Sequence, residues 1–375
     1  MSLNTFEVAR STRIPVDVES IRAEFSDRSY NLHYGGNIFG LMPGILEERS
    51  LTGGILIVSN PAVKELHGDR LVGALGSRKV AWALIPAGER HKNLETVASL
   101  YVECAKAQID REACIIALGG GVVQDITNFV AATFKRGVPF IQIPTSLLSQ
   151  VDIGIGGCAV DHPLGKSLIG TFYQPRAAIL DLKCLETLPD AEFVNGIAEI
   201  INKVAGLGGK IDELKADMPE IAARNPDKAL QYIMEANRIK ISIIERDETG
   251  LSGERLVLDW GHTITYAIEK VTNYEMAHGT ALGIGMHGAA LLSANLGFMS
   301  PERVELLREV IEMAGLPTHL PEKIAAESLL PEMRNDAKAK DGKIRFILLR
   351  DFGEAFLSEP VPDSDVEKVL RQLRP

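Results

Sequence analysis

The sequence predicts an α/β protein with a doubly wound parallel sheet in its N-terminal half and a mainly helical C-terminal half. Two observations carry this. Short β-branched runs alternate with amphipathic or glycine-marked segments in the first half. After Leu188-Pro189 helical spacing takes over. A length of 375 residues, 46% of them hydrophobic and 24% charged, is ordinary globular composition and suits two domains. The boundary is placed at 189, giving an α/β domain over 1–189 and a helical domain over 190–375.

Taken in order, GGILIVSN (53–60) reads as a buried strand and VAWALIPAG (80–88) as a second. NLETVASLYVECAKAQ (93–108) has helical spacing, with Leu94, Val97, Leu100, Tyr101 and Cys104 on one face. CIIALGGG (114–121) is a strand running into a glycine turn, VPFIQIPTS (138–146) is another strand, and AAILDL (177–182) closes the series. Beyond the boundary, Asp190 is a plausible N-cap for the helix AEFVNGIAEIINKVA. Further helices are predicted over 212–224, 226–246, 261–271, 278–296, 301–314 and 364–373, with one late strand, KIRFILL (343–349).

Charge and composition exclude several function classes. Forty basic against fifty acidic residues give a formal charge of −10, which disfavours a nucleic-acid binder. No run approaches the ~20 apolar residues of a membrane span, and MSLNTFEVARSTR lacks the apolar stretch of a leader. Cys104, Cys114, Cys158 and Cys184 form no C-x-x-C pair and read as reduced thiols. A cytoplasmic protein with neither nucleic-acid nor membrane partners is expected.

Gly119-Gly120-Gly121 follows a strand and precedes VVQDITNFVAATF. Such a turn lets backbone approach a pyrophosphate, while the helix behind it offers free N–H groups. Taken alone it is equally a tight strand-to-helix connection, and it is not the G-x-G-x-x-G fingerprint. GERHK (88–92) and PTSLLSQVD (144–152) also sit at strand ends, the edge where open parallel sheets bind ligands.

ALGGGVVQDITNFVAATFKRGVPFIQIPTSLLSQVDIGIGG, HPLGKSLIGTFYQP, LDLKCLETLP, NGIAEII, DWGHTITYAIE, AHGTALGIGM and DGKIRFILL together resemble the dehydroquinate synthase family, within the sugar phosphate cyclases. The resemblance implies a Rossmann-like N-terminal domain, a helical C-terminal domain, an active site in the cleft between them, bound NAD, one divalent metal (zinc, or cobalt in its place) and a homodimer. It places the metal ligands at Glu199, His262 and His278, an open carboxylate–imidazole set suited to catalytic zinc. His287, nine residues after His278, reads as structural. The resemblance assigns NAD contacts to Asn60 (aspartate in the family), Glu89, Lys92, Gly119, Gly120, Gly121, Asp125, Thr145, Ser146, Asp152, Lys166 and Thr187. Gln124 stands where the family has glycine.

In the family NAD oxidises a ring hydroxyl, phosphate is eliminated, the hydride returns and the opened ring closes. The group that leaves is gripped by cations and amides. Here the lysine of G-G-K-T is Cys158, the asparagine of G-K-N is Ser167, the asparagine before W-G-H is Asp259, and the second histidine of G-H-x-x-G-H is Tyr266. The first lysine of D-K-K aligns with Ala337, beside Lys338. The lysine of A-E-V-I-K is Asn202, with Lys203 one residue late and turned away by about 100° on an α-helix. Asp259 is expected to repel a phosphate, by roughly 4 kcal/mol at ~4 Å and an effective dielectric near 20. Lys240 and Arg255 match the family's carboxylate-holding cations. Arg136 matches the residue that reaches the partner subunit's site.

Candidate catalytic residues are therefore Asp152, Lys166, Lys240, Arg255, Asp259, Tyr266, Asn202 and Arg136. The leading expectation is a divergent cyclase using NAD and a divalent metal on a sugar-derived, carboxylated small molecule. The alternatives are a true 3-dehydroquinate synthase, and a zinc/NAD polyol or cyclitol dehydrogenase that stops at the redox step.

Overall fold

The structure is a computed structural model that describes residues 18–26, 28–162 and 165–374. The N-terminal stretch read above for a leader, and Pro163-Leu164 of the HPLGK stretch, lie outside the described residues.

In chain order the strands are β1 (Glu19–Ala23), β2 (Tyr30–Gly35), β3 (Ile55–Ser59), β4 (Val80–Leu84), β5 (Cys114–Gly119), β6 (Phe140–Pro144), β7 (Cys158–His162), β8 (Gly165–Thr171), β9 (Ala177–Asp181), β10 (Ile347–Leu349) and β11 (Ala355–Leu357). Seven of them form one sheet in the order β1-β2-β9-β6-β5-β3-β4. Only the β1–β2 pairing at its edge is antiparallel. Every residue of β3, β5, β6 and β9 is buried. Such continuous apolar runs are required of central strands covered on both faces.

Side chains alternate across the strands, and each face has its own core. Leu56, Val58, Ile115 and Ala117 pack with Val97, Leu100, Ile126 and Val130. Ile55, Ile57, Ile116 and Leu118 pack with Met42, Leu46, Leu71 and Leu75 on the other face. The chain runs from β3 to β4 on one side and then returns past β3 to β5. The carboxyl ends of β3 and β5 thus flank a topological switch point, where doubly wound sheets bind ligands.

From Asp190 the chain is mainly helical: Asp190–Ile200, Ile211–Ala222, Pro226–Arg246, His262–Val271, His278–Asn295, Pro301–Met313 and Asp363–Gln372. The late strand is shorter than its apolar run, because only β10 pairs, with β11. Asp190 does not cap its helix. Pro189 occupies that position, and the Asp190 carboxylate accepts from Arg224 Nη2 at 2.7 Å.

A second correction matters more for the site. AEFVNGIAEIINKVA is not one regular helix, since it turns into a π-helix over Ile201–Leu207. The cause is tertiary. Gly206 lies so close to the Trp260 indole that a Cβ there would overlap the ring, and Asn202 Nδ2 donates to Trp260 O at 2.7 Å. Widening the turn by one residue satisfies both contacts.

The four cysteines are free thiols. Among the described residues no helix is long and apolar enough to cross a membrane.

Candidate active site

A cleft of about 1030 Å³ opens at the switch point and runs to the helical half. On the sheet side Gly120 is the N-cap of the helix Gly121–Thr133, so the free N–H groups of that helix face the cleft. Asn60, Glu89, Lys92, Gly121, Asp125, Thr145 and Ser146 line the same side. Asn60 Oδ1 caps its helix through Val63 N (2.9 Å), and Ser146 forms a capping box with Ser149. Gly119 ends β5, just behind the cleft wall. Gln124, at the family's glycine position, donates to Ala117 O (2.9 Å) and Gly119 O (3.0 Å) and so ties down the end of β5. Thr187 is not on the wall; its hydroxyl pairs with His67 Nε2 at 3.1 Å.

Across the cleft, Glu199, His262 and His278 each offer one ligand atom, all within 4.8 Å of one another. Local backbone explains the glycines of the G-H and H-G motifs. Gly261 caps the helix of His262 at φ 82°, and Gly279 lies against the Asn195 carbonyl, where a Cβ would clash. Glu199 Oε1 is 3.1 Å from His278 Nε2 and 3.5 Å from His262 Nε2. Glu199 is buried, which disfavours its charge, but Lys203 and the two imidazoles hold its carboxyl well below the ordinary range. Burial likewise opposes an imidazolium at His278, yet Glu199 and Glu269 raise it to about 9.

Alternating charges join the two sides. Lys92 Nζ is 3.0 Å from Asp125 Oδ2 and 3.4 Å from Glu89 Oε1. Lys166 Nζ is 3.2 Å from both Glu89 Oε1 and Glu269 Oε2. Glu269 Oε1 is 3.1 Å from His278 Nδ1. Asp152 Oδ1 takes Lys240 Nζ at 2.9 Å and Lys203 Nζ at 3.3 Å, and Lys240 also donates to Ile153 O at 2.7 Å. Arg255 lines the cleft over the Phe172 ring and donates to Glu248 O at 2.8 Å.

Several expectations need correction. Asn202 does not face the cleft: it is fully buried and bonded to the Trp260 carbonyl. The π-turn rotates Lys203 into the cleft instead, 2.7 Å from Glu199 Oε2, so the late lysine does reach the site. Asp259 is not an uncompensated charge. Its Oδ2 is 3.1 Å from Lys338 Nζ, which also pairs with Asp336 at 2.9 Å. Although burial opposes its charge, Lys338 and His262 hold the Asp259 carboxyl below its ordinary range. Tyr266 sits on the wall beside His262, with ring centroids 5.2 Å apart. Burial, with several carboxylates nearby, raises its phenol well above the usual value, so it keeps its proton. Arg136 is exposed and does not line the cleft of its own chain.

Glu269 was missed by sequence reasoning, although helical periodicity marks it, seven residues after His262 on the same helix face. Lys203 was named at its motif but set aside as turned away, because no local signal marks the π-turn.

The sequence model of the 3-dehydroquinate synthase N-terminal region matches residues 82–195, and that of the C-terminal region matches 196–339. The chain belongs to the 3-dehydroquinate synthase family. It is an enzyme of that family's lyase/cyclase type. The 3-dehydroquinate synthase of Desulforamulus reducens is 38% identical over 358 residues, 94% of this chain and 99% of that one. That of Methylococcus capsulatus is 38% identical, over 91% and 95% of the two chains. Among solved structures, a 2-deoxy-scyllo-inosose synthase complexed with carbaglucose-6-phosphate, NAD+ and Co2+ superposes with TM-score 0.85 at 22% identity, covering 94% of this chain and all of that one. The 2-epi-5-epi-valiolone synthase of Streptomyces hygroscopicus, with NAD+ and Zn2+, gives TM-score 0.83 at 25% identity over 94% and 98%.

Proposed function

We propose that this family member is a cyclase of a polyhydroxylated, carboxylated sugar derivative, using NAD and zinc, with a recast leaving-group sub-site. The glycine turn and helix N-terminus, with Asn60, Glu89, Lys92, Thr145 and Ser146, fit a dinucleotide. Glu199, His262 and His278 fit a tetrahedral divalent cation with an open position, since both Nε2 atoms and one carboxylate oxygen converge. When bound, the dinucleotide supplies a reversible hydride acceptor and the cation polarises substrate oxygen.

The chain's own groups do the rest. Lys240 and Arg255 hold a substrate carboxylate. Lys203 and Lys240, gathered by Asp152, place two ammonium groups beside the metal ligands. Tyr266 presents a neutral hydroxyl. The reading includes a homodimer in which Arg136 reaches the partner's cleft, and the cytoplasm as its location.

One observation carries the recast sub-site: the Lys338 ammonium is held by Asp259 and Asp336 of its own chain. Of the three only Asp259 lines the cleft, so the wall presents a carboxylate whose compensating lysine is buried behind it. A second reading, a true 3-dehydroquinate synthase, is favoured by the return of Lys203 to the cleft and by the 38% identity to relatives of that name.

The deciding experiment measures inorganic phosphate release with NAD+ and Zn2+, following NADH absorbance in parallel. Release from sedoheptulose 7-phosphate, or from another sugar phosphate but not from 3-deoxy-arabino-heptulosonate 7-phosphate, supports the divergent cyclase. Rapid release from 3-deoxy-arabino-heptulosonate 7-phosphate alone establishes the second reading. NADH accumulating on unphosphorylated polyhydroxy acids without phosphate release overturns both in favour of a dehydrogenase.

A further inference from the structure

A neutral imidazole carries one N–H and one lone pair, so a histidine that ligates through Nε2 needs its proton on Nδ1 and an acceptor to hold it there. Both histidines of the site have such an acceptor. His278 Nδ1 lies 3.1 Å from Glu269 Oε1, and His262 Nδ1 lies 3.1 Å from Trp260 O. Each Nε2 is thereby left facing Glu199.

Neither acceptor is free to turn. Glu269 is buried, and Lys166 Nζ bonds both of its oxygens, at 3.3 and 3.2 Å. The Trp260 carbonyl is held from behind by Asn202 Nδ2 at 2.7 Å, while Asn202 Oδ1 accepts from Lys203 Nζ at 3.1 Å. Both ends of the Asn202 amide are therefore engaged, and its orientation is fixed. The π-turn makes this possible, since it sets the Asn202 amide against the Trp260 carbonyl and the Lys203 ammonium in the cleft, with the two side chains still in contact.

We propose that Glu269 and Asn202 are positioning residues for the divalent cation, each acting through one imidazole. The inference rests on the metal reading above. The two supports differ in kind. Glu269 is anionic and strengthens His278 as a donor as well as aiming it. The Asn202–Trp260 pair is neutral and only aims His262. Loss of Glu269 should therefore cost more.

The test is Zn2+ affinity by chelator competition on the purified full chain, with the visible absorption of the Co2+-substituted protein as a second readout. Glu269→Gln keeps the shape and removes the charge; it should weaken Zn2+ binding about 10- to 100-fold. Asn202→Asp keeps the size and removes the donor to Trp260. It should weaken binding by roughly tenfold, the lower end of the same range. Both should shift the Co2+ absorption bands while retaining a cooperative melting transition. Asn202→Ala gives the same result by deletion if the aspartate variant fails to fold. Folded variants that bind Zn2+ within twofold of the parent, with unchanged Co2+ spectra, overturn the proposal. A parent protein that takes up no stoichiometric Zn2+ overturns the metal reading beneath it as well.

Discussion

The carboxylate of Asp259 should govern which anions the cleft accepts, and Asp259→Asn isolates that effect. Lys338 lies between Asp259 (3.1 Å) and Asp336 (2.9 Å), and its side chain is 1% exposed, so the group carries one net negative charge. Removing the Asp259 charge brings that sum to zero and leaves Lys338 paired with Asp336, so the buried lysine is not orphaned. For an anionic group about 6 Å away, one unit charge at an effective dielectric near 20 is worth about 3 kcal/mol. The Asp259 side chain is 36% exposed. Solvent screening therefore reduces the gain to about 1–2 kcal/mol, or roughly 5- to 30-fold in affinity. The assay is calorimetric titration of the parent and variant proteins with inorganic phosphate and a sugar phosphonate, at low and high salt. Asp259→Asn should bind both more tightly, with the advantage shrinking as salt rises. Equal or weaker binding by a folded variant would refute the reasoning and return Asp259 to a purely structural role beside Lys338.

Gly206→Ala should destabilise the fold by about 1–3 kcal/mol, read as a lower urea midpoint, because the new methyl overlaps the fully buried Trp260 ring. An unchanged midpoint would mean that the π-turn does not depend on that contact. His67 should make the protein acid-sensitive in a defined window. Burial, with Arg70 nearby, holds its imidazole down at about 4, against 6.5 in the open chain. Between those values the unfolded chain takes up a proton that the folded one refuses, so stability falls as pH drops from 6.5 towards 4. His67→Gln should flatten that decline in urea midpoints at pH 4.5, 5.5 and 7, and parallel slopes for the two proteins would sink the idea.

The parts of the fold that could be read from the chain were those with a local cause. Five consecutive buried residues in each of β3, β6 and β9, and six in β5, announce themselves as apolar runs, and Gly120-Gly121 marks the helix start at the switch point. The β1–β2 edge and the β7–β8 hairpin are mixed in burial and leave no such pattern. In the site, the G-H and H-G motifs point to His262 and His278 because their glycines answer close backbone contacts. The identities at 202 and 203 misled for a physical reason. Whether a helix is α or π at that point depends on Trp260, 58 residues away along the chain. Lys338 reaches Asp259 across 79 residues, so the compensation of that charge has no local signature.

The string of charges from Asp125 through Lys92, Glu89, Lys166 and Glu269 to His278 bears on how ligands arrive. With each ammonium of the string already held between carboxylates, and a formal charge of −10 on the whole chain, this side of the cleft has little positive field to project. Long-range steering, which speeds anion capture where cations stand unpaired, is therefore weak. An anionic ligand that takes these lysines must displace their carboxylates at contact. Recognition then works by partner exchange, and ionic strength should influence how long a ligand stays more than how often it arrives.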